Sequence, residues 1–278
     1  MKPRCQREAS AGLAMQSSRR TSSVGAQPFG GSFLAGLVLD HGPIQLLGRL
    51  LLAADTAARE RGVFLSFATL EELVAINRAN RATWRPLLPV FDPSCGEFAP
   101  SSAICLLGRN VAGDVVVTQG ARFFDWHGTT LADEATSLRL LYRNPDAWRR
   151  PDEAVEVTAP TARQITGNVA YTGAHWCHPD FRGKGLPAIT PRIARALAVA
   201  FWDVDFACTL MVDDVFARGV ARRAGYFNAE WSIELKNTPL GTLTTALLWS
   251  RRAEIVADLE NALTGFVHAD ARVIERHA

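Results

Sequence analysis

Apolar residues recur along the chain with two spacings, and these predict alternating helices and strands. Residues 43–62 are predicted to form a helix, because leucines repeat on one face between a proline suited to a first turn and a glycine suited to a stop. Residues 63–68 alternate as a strand does. Thr69, followed three positions later by Glu72, is typical of a capping box and predicts a second helix to about residue 82.

The middle of the chain predicts a β-hairpin and then an irregular connection. Two β-rich runs, 103–110 and 114–126, are joined by a short turn that contains Gly113, which favours an antiparallel pair. A further helix is predicted over about 131–142. The proline-rich segment 143–156 that follows predicts a surface connection.

A strand, a glycine-containing loop and an apolar helix then follow in that order, and the loop reads HPDFRGKGLP. This order favours phosphate binding, because the first amides of a helix have no internal partners and the helix dipole stabilises an anion there. Gly183 and Gly185 leave their amides unblocked and take dihedrals closed to other residues, while Arg182 and Lys184 add positive charge. The sequence therefore predicts a phosphate-bearing ligand at this loop.

The loop excludes two common kinds of phosphate site. It lacks the G-x-x-x-x-G-K-[ST] pattern of triphosphate-hydrolysing P-loops and the G-x-G-x-x-G pattern of Rossmann dinucleotide sites. Through Arg182 and Gly185 it resembles R/Q-x-x-G-x-G/A, the acyl-CoA signature of the GNAT acyltransferase superfamily. Pro187 stands where that signature ends in Gly or Ala, and it brings no N–H.

A second stretch, DDVFARGVARRAGY, resembles the same superfamily. It follows the buried strand DFACTLMV and holds Ala217 and a final Gly-Tyr pair at the spacing of the family motif N-x-x-A-x-x-x-Y-x-x-x-G-F. Asp214 replaces the usual Asn, and Ala221 replaces a Tyr that often protonates the leaving thiolate. The resemblance covers about residues 60–250 in the order of elements and about 173–227 in motifs.

The resemblance implies an α/β (α+β) fold with a mixed, mostly antiparallel sheet, helices on both faces and a splayed strand at the cofactor cleft. We expect a single GNAT-like domain over residues 31–265, in which 31–62 form an N-terminal helical extension and 171–227 hold the acyl-CoA motifs. Residues 1–30 are rich in Ser, Ala, Gly and Arg and predict a flexible basic tail, and 266–278 are expected to form a C-terminal tail.

The resemblance also implies a chemistry. It predicts an acyl-CoA-dependent N-acyltransferase that uses acetyl-CoA or another acyl-CoA as co-substrate, holds no metal, and transfers the acyl group directly to an amine without an acyl-enzyme. The strand edge before the loop is expected to pair with pantetheine and the loop to bind the diphosphate. The expected cofactor contacts are His175, Trp176, Cys177, Arg182, Gly183, Lys184, Gly185, Leu186 and Pro187.

Four residues are candidates for moving the proton of the attacking amine. Tyr171 stands where some relatives carry a Glu, but a phenol with a pKa of about 10 is a poor base at neutral pH. His175 titrates in the useful range, and its alternative role is structural. Asp213 and Asp214 follow the next strand, with helix N-capping as their alternative role.

The cysteines and histidines predict no metal or disulfide site. The HWCH run places two imidazoles and a thiol together, but strand alternation turns His175 and His178 to opposite faces. The 5 cysteines form no C-x-x-C pair, which favours a reducing, cytoplasmic location. We expect Cys177 to pack rather than to act as a nucleophile, since no paired base is evident in the sequence.

Charge and hydropathy limit the classes of partner that this chain is expected to bind. The formal net charge is +2, and residues 1–30 hold five basic residues against one acidic residue, so the rest of the chain is nearly neutral and gives no reason to expect nucleic acid. No uncharged apolar run is long enough to predict a membrane span. The acceptor is expected to be a small-molecule or peptide amine bound by segments 84–101 and 126–165, whose mixed charges favour neither a polycationic nor an anionic acceptor. The oligomeric state stays open, with a homodimer among the alternatives.

Two other classes of function remain open at this stage. The first is a non-catalytic acyl-CoA-binding or sensing module, which the departures at Pro187 and Ala221 favour. The second is an interaction protein that keeps the fold but has a closed cofactor cleft. Binding of CoA separates the second class from the others, and turnover separates an enzyme from a sensor.

Overall fold

One mixed sheet contains every strand formed by the part of the chain that the structure describes. The structure is a computed structural model that describes residues 32–96, 99–238 and 240–275, with 267–275 as backbone alone. The strands are β1 (Phe64–Phe67), β2 (Ala103–Arg109), β3 (Val115–Trp126), β4 (Ala154–Val157), β5 (Gly167–Cys177), β6 (Phe206–Val212), β7 (Asn228–Thr238) and β8 (Gly241–Arg251). The helices are α1 (Ile44–Glu60), α2 (Leu70–Ala79), α3 (Leu131–Thr136), α4 (Pro145–Trp148), α5 (Thr190–Trp202), α6 (Asp213–Ala217), α7 (Val220–Arg223) and α8 (Arg252–Glu275). The tail predicted for residues 1–30 lies outside the described residues.

The sheet is mostly antiparallel, as predicted. Its strands lie in the order β1-β2-β3-β5-β6-β8-β7-β4. Only β5 and β6 pair in parallel among these neighbours, and the other neighbouring strands run antiparallel. The connection between the parallel strands is α5, because parallel strands need a crossover that returns the chain to the same end of the sheet.

Helices cover both faces of this sheet. On one face lie α1, α5 and α8, which bury Leu47, Leu197 and Leu259 in one apolar cluster. On the other face lie α2 and α3, which bury Leu73 and Leu131 in a second cluster. The fold class predicted from the sequence is therefore confirmed.

The local signals for helix ends act as the sequence indicates. Helix α1 begins directly after Pro43 and ends before Gly62, whose φ of 71° lies in the left-handed region that favours glycine. Helix α2 begins after Thr69, whose Oγ1 accepts a hydrogen bond of 3.2 Å from the amide of Glu72.

Three helix boundaries differ from the predictions. Helix α2 ends at Ala79, a few residues before the expected end. Helix α3 ends at Thr136 rather than near residue 142, since Leu138 takes a φ of 64°, which an α-helix cannot contain. Helix α8 continues to Glu275, past the boundary at 266 where a tail was expected to begin. None of the helices in the described residues, α8 included, is long and apolar enough to cross a membrane.

A strand lies inside the segment that was predicted to be a surface connection. Strand β4 pairs with β7 and forms one edge of the sheet. Val155 is buried in the core, and Glu156 forms an ion pair of 2.8 Å with Lys236 on β7. With four residues, β4 is too short to produce a periodic signal, so its partner strand decides its conformation.

A buried ion-pair network joins the two long helices on the α5 face. Asp258 on α8 binds Arg195 at 2.7 Å and Arg192 at 2.8 Å, both on α5. Arg195 is fully buried, and its guanidinium also lies 4.5 Å from the centre of the Tyr226 ring. This single carboxylate is therefore the shared counter-charge of two cations that have little access to water.

The same two arginines hold the turns around the glycine loop. Arg195 donates to the carbonyl oxygens of Ala224 and Gly225, just before β7. Arg192 donates to the carbonyl oxygens of Ala188 and Arg223 at 2.9 and 2.8 Å. The network therefore connects α5 and α8 with the two segments that border the predicted cofactor loop.

We expect Asp258→Ala to lower the free energy of unfolding by about 3–5 kcal/mol, because it leaves two buried guanidinium groups without a counter-charge. Denaturant unfolding followed by circular dichroism measures this loss. Asp146→Ala is the matched control, since the Asp146 side chain is 89% exposed and its ion pair with Arg149 spans 3.7 Å. That control should change stability by no more than about 0.5 kcal/mol. Equal stabilities for the two variants would contradict the role given to Asp258.

Candidate active site

Strands β5 and β6 separate after a short parallel contact. They pair from Val169 opposite Phe206 to Tyr171 opposite Cys208 and no further. Beyond that point β5 continues beside β3 to its end, and β6 continues beside β8 to its end. The facing edges, residues 172–177 and 209–212, therefore have no strand between them, which is the splay that the sequence predicted. Such an edge presents N–H and C=O groups to a ligand.

A β-bulge shapes the free edge of β5. Ala174 and His175 together lie opposite Gln119 of β3, and Ala174 takes a φ of 50°. Two side chains of β3 fix this geometry: Thr118 donates to the carbonyl oxygen of Ala174 at 2.7 Å, and Gln119 donates to that of Gly173 at 3.0 Å. The bulge shifts the alternation, so that Trp176 packs in the cluster on the α2 face and the His175 ring approaches Thr190 of α5.

The loop after β5 offers unpaired amides to solvent. Gly183 and Gly185 take φ values of 81° and 77°, and the four residues from Arg182 to Gly185 are exposed. Within the described residues, the amides of Gly183, Gly185 and Leu186 donate no hydrogen bond to the protein. Gly183 and Gly185 are exposed, whereas Leu186 is buried, so two of these amides are accessible to a ligand. Successive backbone N–H groups in a glycine turn can bind an anion.

The helix after the loop begins later than predicted. Leu186–Ala188 form a 3₁₀ turn, and α5 starts at Thr190 rather than near Leu186. Pro187 and Pro191 lie in these first turns and supply no N–H. The exposed, unpaired amides of this region are therefore those of the glycines rather than those of the first turn of α5.

Three cations surround the loop, and one of them was not predicted. Arg182 donates to the carbonyl oxygen of Cys177 at 3.4 Å, and the Lys184 ammonium lies 3.8 Å from the centre of the Phe181 ring. Arg61, from the end of α1, donates to the carbonyl oxygen of Lys184 at 2.8 Å. No sequence signal links Arg61 to this loop, because the two lie 123 positions apart and meet only through the packing of α1 on α5.

Of the two ring-bearing candidates for proton transfer, Tyr171 is buried, and His175 is half-buried with its Nε2 inaccessible to water. Burial raises the pKa of the Tyr171 phenol, so this residue is even less suited to act as a base than an exposed tyrosine. Burial lowers the pKa of His175 to about 4, which keeps its imidazole neutral at pH 7. Nδ1 of His175 lies 3.4 Å from the Thr190 hydroxyl, and its buried Nε2 has no partner.

The two carboxylate candidates lie at the open end of the splay. Asp213 and Asp214 are exposed in the first turn of α6, where Val212 is the N-cap and no side chain caps the helix. Asp214 forms ion pairs with Arg85 at 3.2 Å and with Arg218 at 3.3 Å. Asp213 makes no ion pair with the residues that the structure describes.

The other predicted contact residues on β5 are packed rather than free. Trp176 is buried and stacks on Trp84, with ring centres 5.4 Å apart. Burial raises the pKa of the Cys177 thiol, which argues against a nucleophilic thiolate. The backbone of these residues remains on the free edge, so their expected role through main-chain groups stays a prediction. No cluster of metal-ligating side chains lies within the described residues.

One hydroxyl pair at the apex of the splay was missed by sequence reasoning. Thr172, the first residue of the free edge, lies 2.8 Å from the Tyr226 hydroxyl. Burial raises the pKa of Tyr226, so its phenol is protonated at neutral pH. The Gly-Tyr end of the second motif marks Tyr226, but nothing in the sequence shows that it meets β5.

Comparisons with known proteins give structural similarity alone. No protein-family model and no curated protein matches this sequence. Among solved structures, the chain is similar to AAC(6')-Ib in complex with paromomycin and acetyl-CoA, at 17% identity and a TM-score of 0.39 over 69% of this chain and 95% of that one. It is also similar to a chimera of the Vibrio cholerae spermidine N-acetyltransferase SpeG and hSSAT, at 8% identity and a TM-score of 0.42 over 70% of this chain and 98% of that one. A third similar structure is that of Arabidopsis thaliana NAA60 in complex with acetyl-CoA, at 10% identity and a TM-score of 0.42 over 69% of this chain and 99% of that one. These values assign no activity to this chain.

The depressed pKa of His175 predicts a pH dependence of stability. An unfolded histidine has a pKa of about 6.5, so the unfolded chain binds more protons than the folded chain between that pH and about 4. This group therefore costs stability as the pH falls through that window. We expect His175→Gln to lose less unfolding free energy than the parent between pH 7 and pH 5, measured by urea unfolding at both values.

His127 provides a control of opposite sign. It is exposed, and its hydrogen bond with Asp125 raises its pKa, so the stability it contributes is present at low pH and is lost as the pH rises. His127→Gln should therefore not reduce the acid sensitivity of the fold. An unchanged acid sensitivity in His175→Gln would show that the imidazole of His175 is not buried in its neutral form.

Proposed function

We propose that this protein is an acyl-CoA-dependent N-acyltransferase that moves an acyl group directly from coenzyme A to an amine, with acetyl-CoA as the simplest donor. One observation carries this proposal: the free edge of β5 runs directly into an exposed loop with two unpaired glycine amides and three cations. A single extended ligand with an amide-containing arm and a diphosphate fits both features. Coenzyme A has that construction.

The loop supplies the recognition of the diphosphate in this proposal. The exposed amides of Gly183 and Gly185 donate to phosphate oxygens, as backbone nests do in other phosphate sites. Arg61, Arg182 and Lys184 supply positive charge around the same loop. Hydrogen bonds from charged donors are stronger than neutral ones, so these cations compensate for the donors that Pro187 and Pro191 lack.

The edge of β5 positions the reacting group. Pantetheine pairs with residues 172–177 as an added strand, since β6 has already diverged from this edge. The amine attacks the thioester carbonyl and forms the new C–N bond. A backbone N–H of this edge stabilises the oxyanion that develops on the carbonyl oxygen. Collapse of the intermediate breaks the C–S bond, and the thiolate leaves with the electron pair and takes a proton.

Proton transfer is assigned to the residues whose ionisation suits it. We infer that Asp213 receives the proton of the attacking amine, directly or through water, since it is an exposed carboxylate with no ion pair among the described residues. Tyr171 and the neutral His175 are then structural residues of the splay. Ala221 has no acidic proton, and Tyr226 offers a protonated phenol at the apex instead.

A non-catalytic acyl-CoA-binding module is the second candidate. The absence of a hydroxyl at Ala221 and of an N–H at Pro187 favours it, because both remove groups that serve acyl transfer in the family that the sequence resembles. It predicts binding of acetyl-CoA without thiol release across a panel of amines. A closed-cleft interaction protein predicts no binding at all, and the exposed loop argues against it.

We expect Gly185→Val and Arg182→Glu each to weaken acetyl-CoA binding at least about tenfold, by blocking an amide or by reversing a charge at the diphosphate. Isothermal titration calorimetry with acetyl-CoA measures the affinity. Gly241→Val is the control for backbone strain, because Gly241 has a φ of 81° and no atom lies within 4 Å of its added Cβ. That control should bind like the parent. Parent-like affinity in the Gly185 and Arg182 variants would place the diphosphate elsewhere.

We expect Asp213→Asn to lower kcat at least about a hundredfold at pH 7 while leaving the affinity for acetyl-CoA unchanged, because the amide accepts no proton. Thiol release with an amine that the parent acylates measures kcat. Glu260→Gln, at an exposed carboxylate of α8, serves as the matched control and should turn over like the parent. If Asp213→Asn kept full activity, the amine would lose its proton to another group or to solvent.

A further inference from the structure

We propose that the acceptor is an amine that also carries a carboxylate or a phosphate, and that a cleft lined by four arginines binds this anionic group. The proposal rests on the acyltransferase function proposed above and names the class of its second substrate. The cleft is open, measures about 480 Å³, and is lined by residues 81–86 with Arg182 and Arg218. Its arginines are Arg81, Arg85, Arg182 and Arg218.

The four guanidinium groups come from three separate parts of the chain. Arg81 and Arg85 lie in the connection after α2, Arg182 lies in the loop after β5, and Arg218 is the C-cap of α6, which follows β6. Since β5 and β6 are parallel, the segments that follow them leave the sheet at the same end. The cleft therefore opens where the splay is widest.

The charges lining the cleft are not balanced. Asp214 is shared between Arg85 and Arg218. Neither Arg81 nor Arg182 has a carboxylate partner within the residues that the structure describes. Because Arg182 also serves the diphosphate of the donor, the cations left for the acceptor are Arg81, Arg85 and Arg218. The only ion pairs that these three make among the described residues are with Asp214. This excess of positive charge attracts an anion, and the planar fork of a guanidinium matches the two oxygens of a carboxylate or phosphate.

The wall that carries Arg81 and Arg85 is held by three contacts. Trp84 stacks on Trp176 with an angle of 14° between the rings. The Trp176 indole donates to the Thr83 hydroxyl at 3.3 Å, and the buried Asn77 donates to the carbonyl oxygen of Arg85 at 2.8 Å. These contacts fix the backbone before a ligand arrives, which lowers the entropy lost on binding.

The position of the cleft assigns its anion to the acceptor rather than to coenzyme A. Trp84 and Trp176 belong to the apolar cluster on the α2 face of the sheet, whereas the glycine loop leads into α5 on the opposite face. Arg182 lies between the two. Acyl-CoA bound at the loop and along β5 leaves the α2 face of the splay open, and the amine approaches the thioester from that face.

Two matched pairs of amines test the proposal: phosphoethanolamine with ethanolamine, and glycine with glycinamide. Thiol release from acetyl-CoA is measured for each. We expect at least one anionic amine to have a KM at least about tenfold below that of its neutral partner. Arg81→Ala should raise that KM at least about tenfold and leave the affinity for acetyl-CoA unchanged. Arg49→Ala, which removes an exposed arginine of α1 outside the cleft and outside the segments expected to bind the acceptor, should change neither value.

Three outcomes overturn the proposal. Equal KM values within both pairs would show that the cleft does not select a charged acceptor. Loss of acetyl-CoA affinity in Arg81→Ala would show that the cleft binds the phosphates of coenzyme A rather than the acceptor. If the parent neither binds nor turns over acetyl-CoA, the proposed acyltransferase function is wrong. Calorimetry with phosphoethanolamine alone then tests whether the cleft binds an anion. Binding that depends on Arg81 would retain the anion cleft, and no binding would overturn it.

Discussion

The short parallel contact between β5 and β6 is the constraint on which the rest of the site depends. Three residue pairs hold the two strands together, and then each strand follows a different antiparallel neighbour. Their edges separate because β3 and β8 continue to pair with them in diverging directions. An internal edge without a strand partner presents a row of N–H and C=O groups that can pair with an extended ligand. The loop, the cations and the carboxylates all lie at the open end of this gap.

Arginine is used in two different ways on the two sides of the splay. Arg192 and Arg195 share Asp258 in the interior, where an uncompensated charge would be costly, and they fix the turns that border the glycine loop. Arg81 and Arg182, in contrast, lie exposed without a carboxylate partner among the described residues. The first arrangement serves stability, and the second leaves charge available for a ligand.

The bulge at Ala174 shows how a local irregularity changes the assignment of residues to faces. Strict alternation through HWCH predicts that His175 and His178 diverge and that Trp176 takes the opposite face to His175. The bulge leaves the alternation within HWCH unchanged, but it inserts one extra residue between the two halves of β5. Tyr171 and Trp176, which strict alternation would place on opposite faces, therefore share one core cluster. No feature of the sequence around Ala174 predicts the shift, because it is fixed by Thr118 and Gln119 on the neighbouring strand.

The sequence by itself determined the order of most elements and the glycine turn of the loop, since periodicity, capping residues and glycine act over a few neighbouring positions. The mostly antiparallel sheet and its splay were implied by the resemblance of the two motifs to a known family. The sequence did not determine β4, whose four residues depend on β7, nor the arrival of Arg61 beside Lys184. The burial of His175 and the meeting of Arg81, Arg85, Arg182 and Arg218 were likewise decided only by tertiary structure. Residues 81–86 carry two arginines and no acidic residue, whereas the segments around Arg182 and Arg218 carry mixed charges. The group of four arginines exists only where the three segments meet.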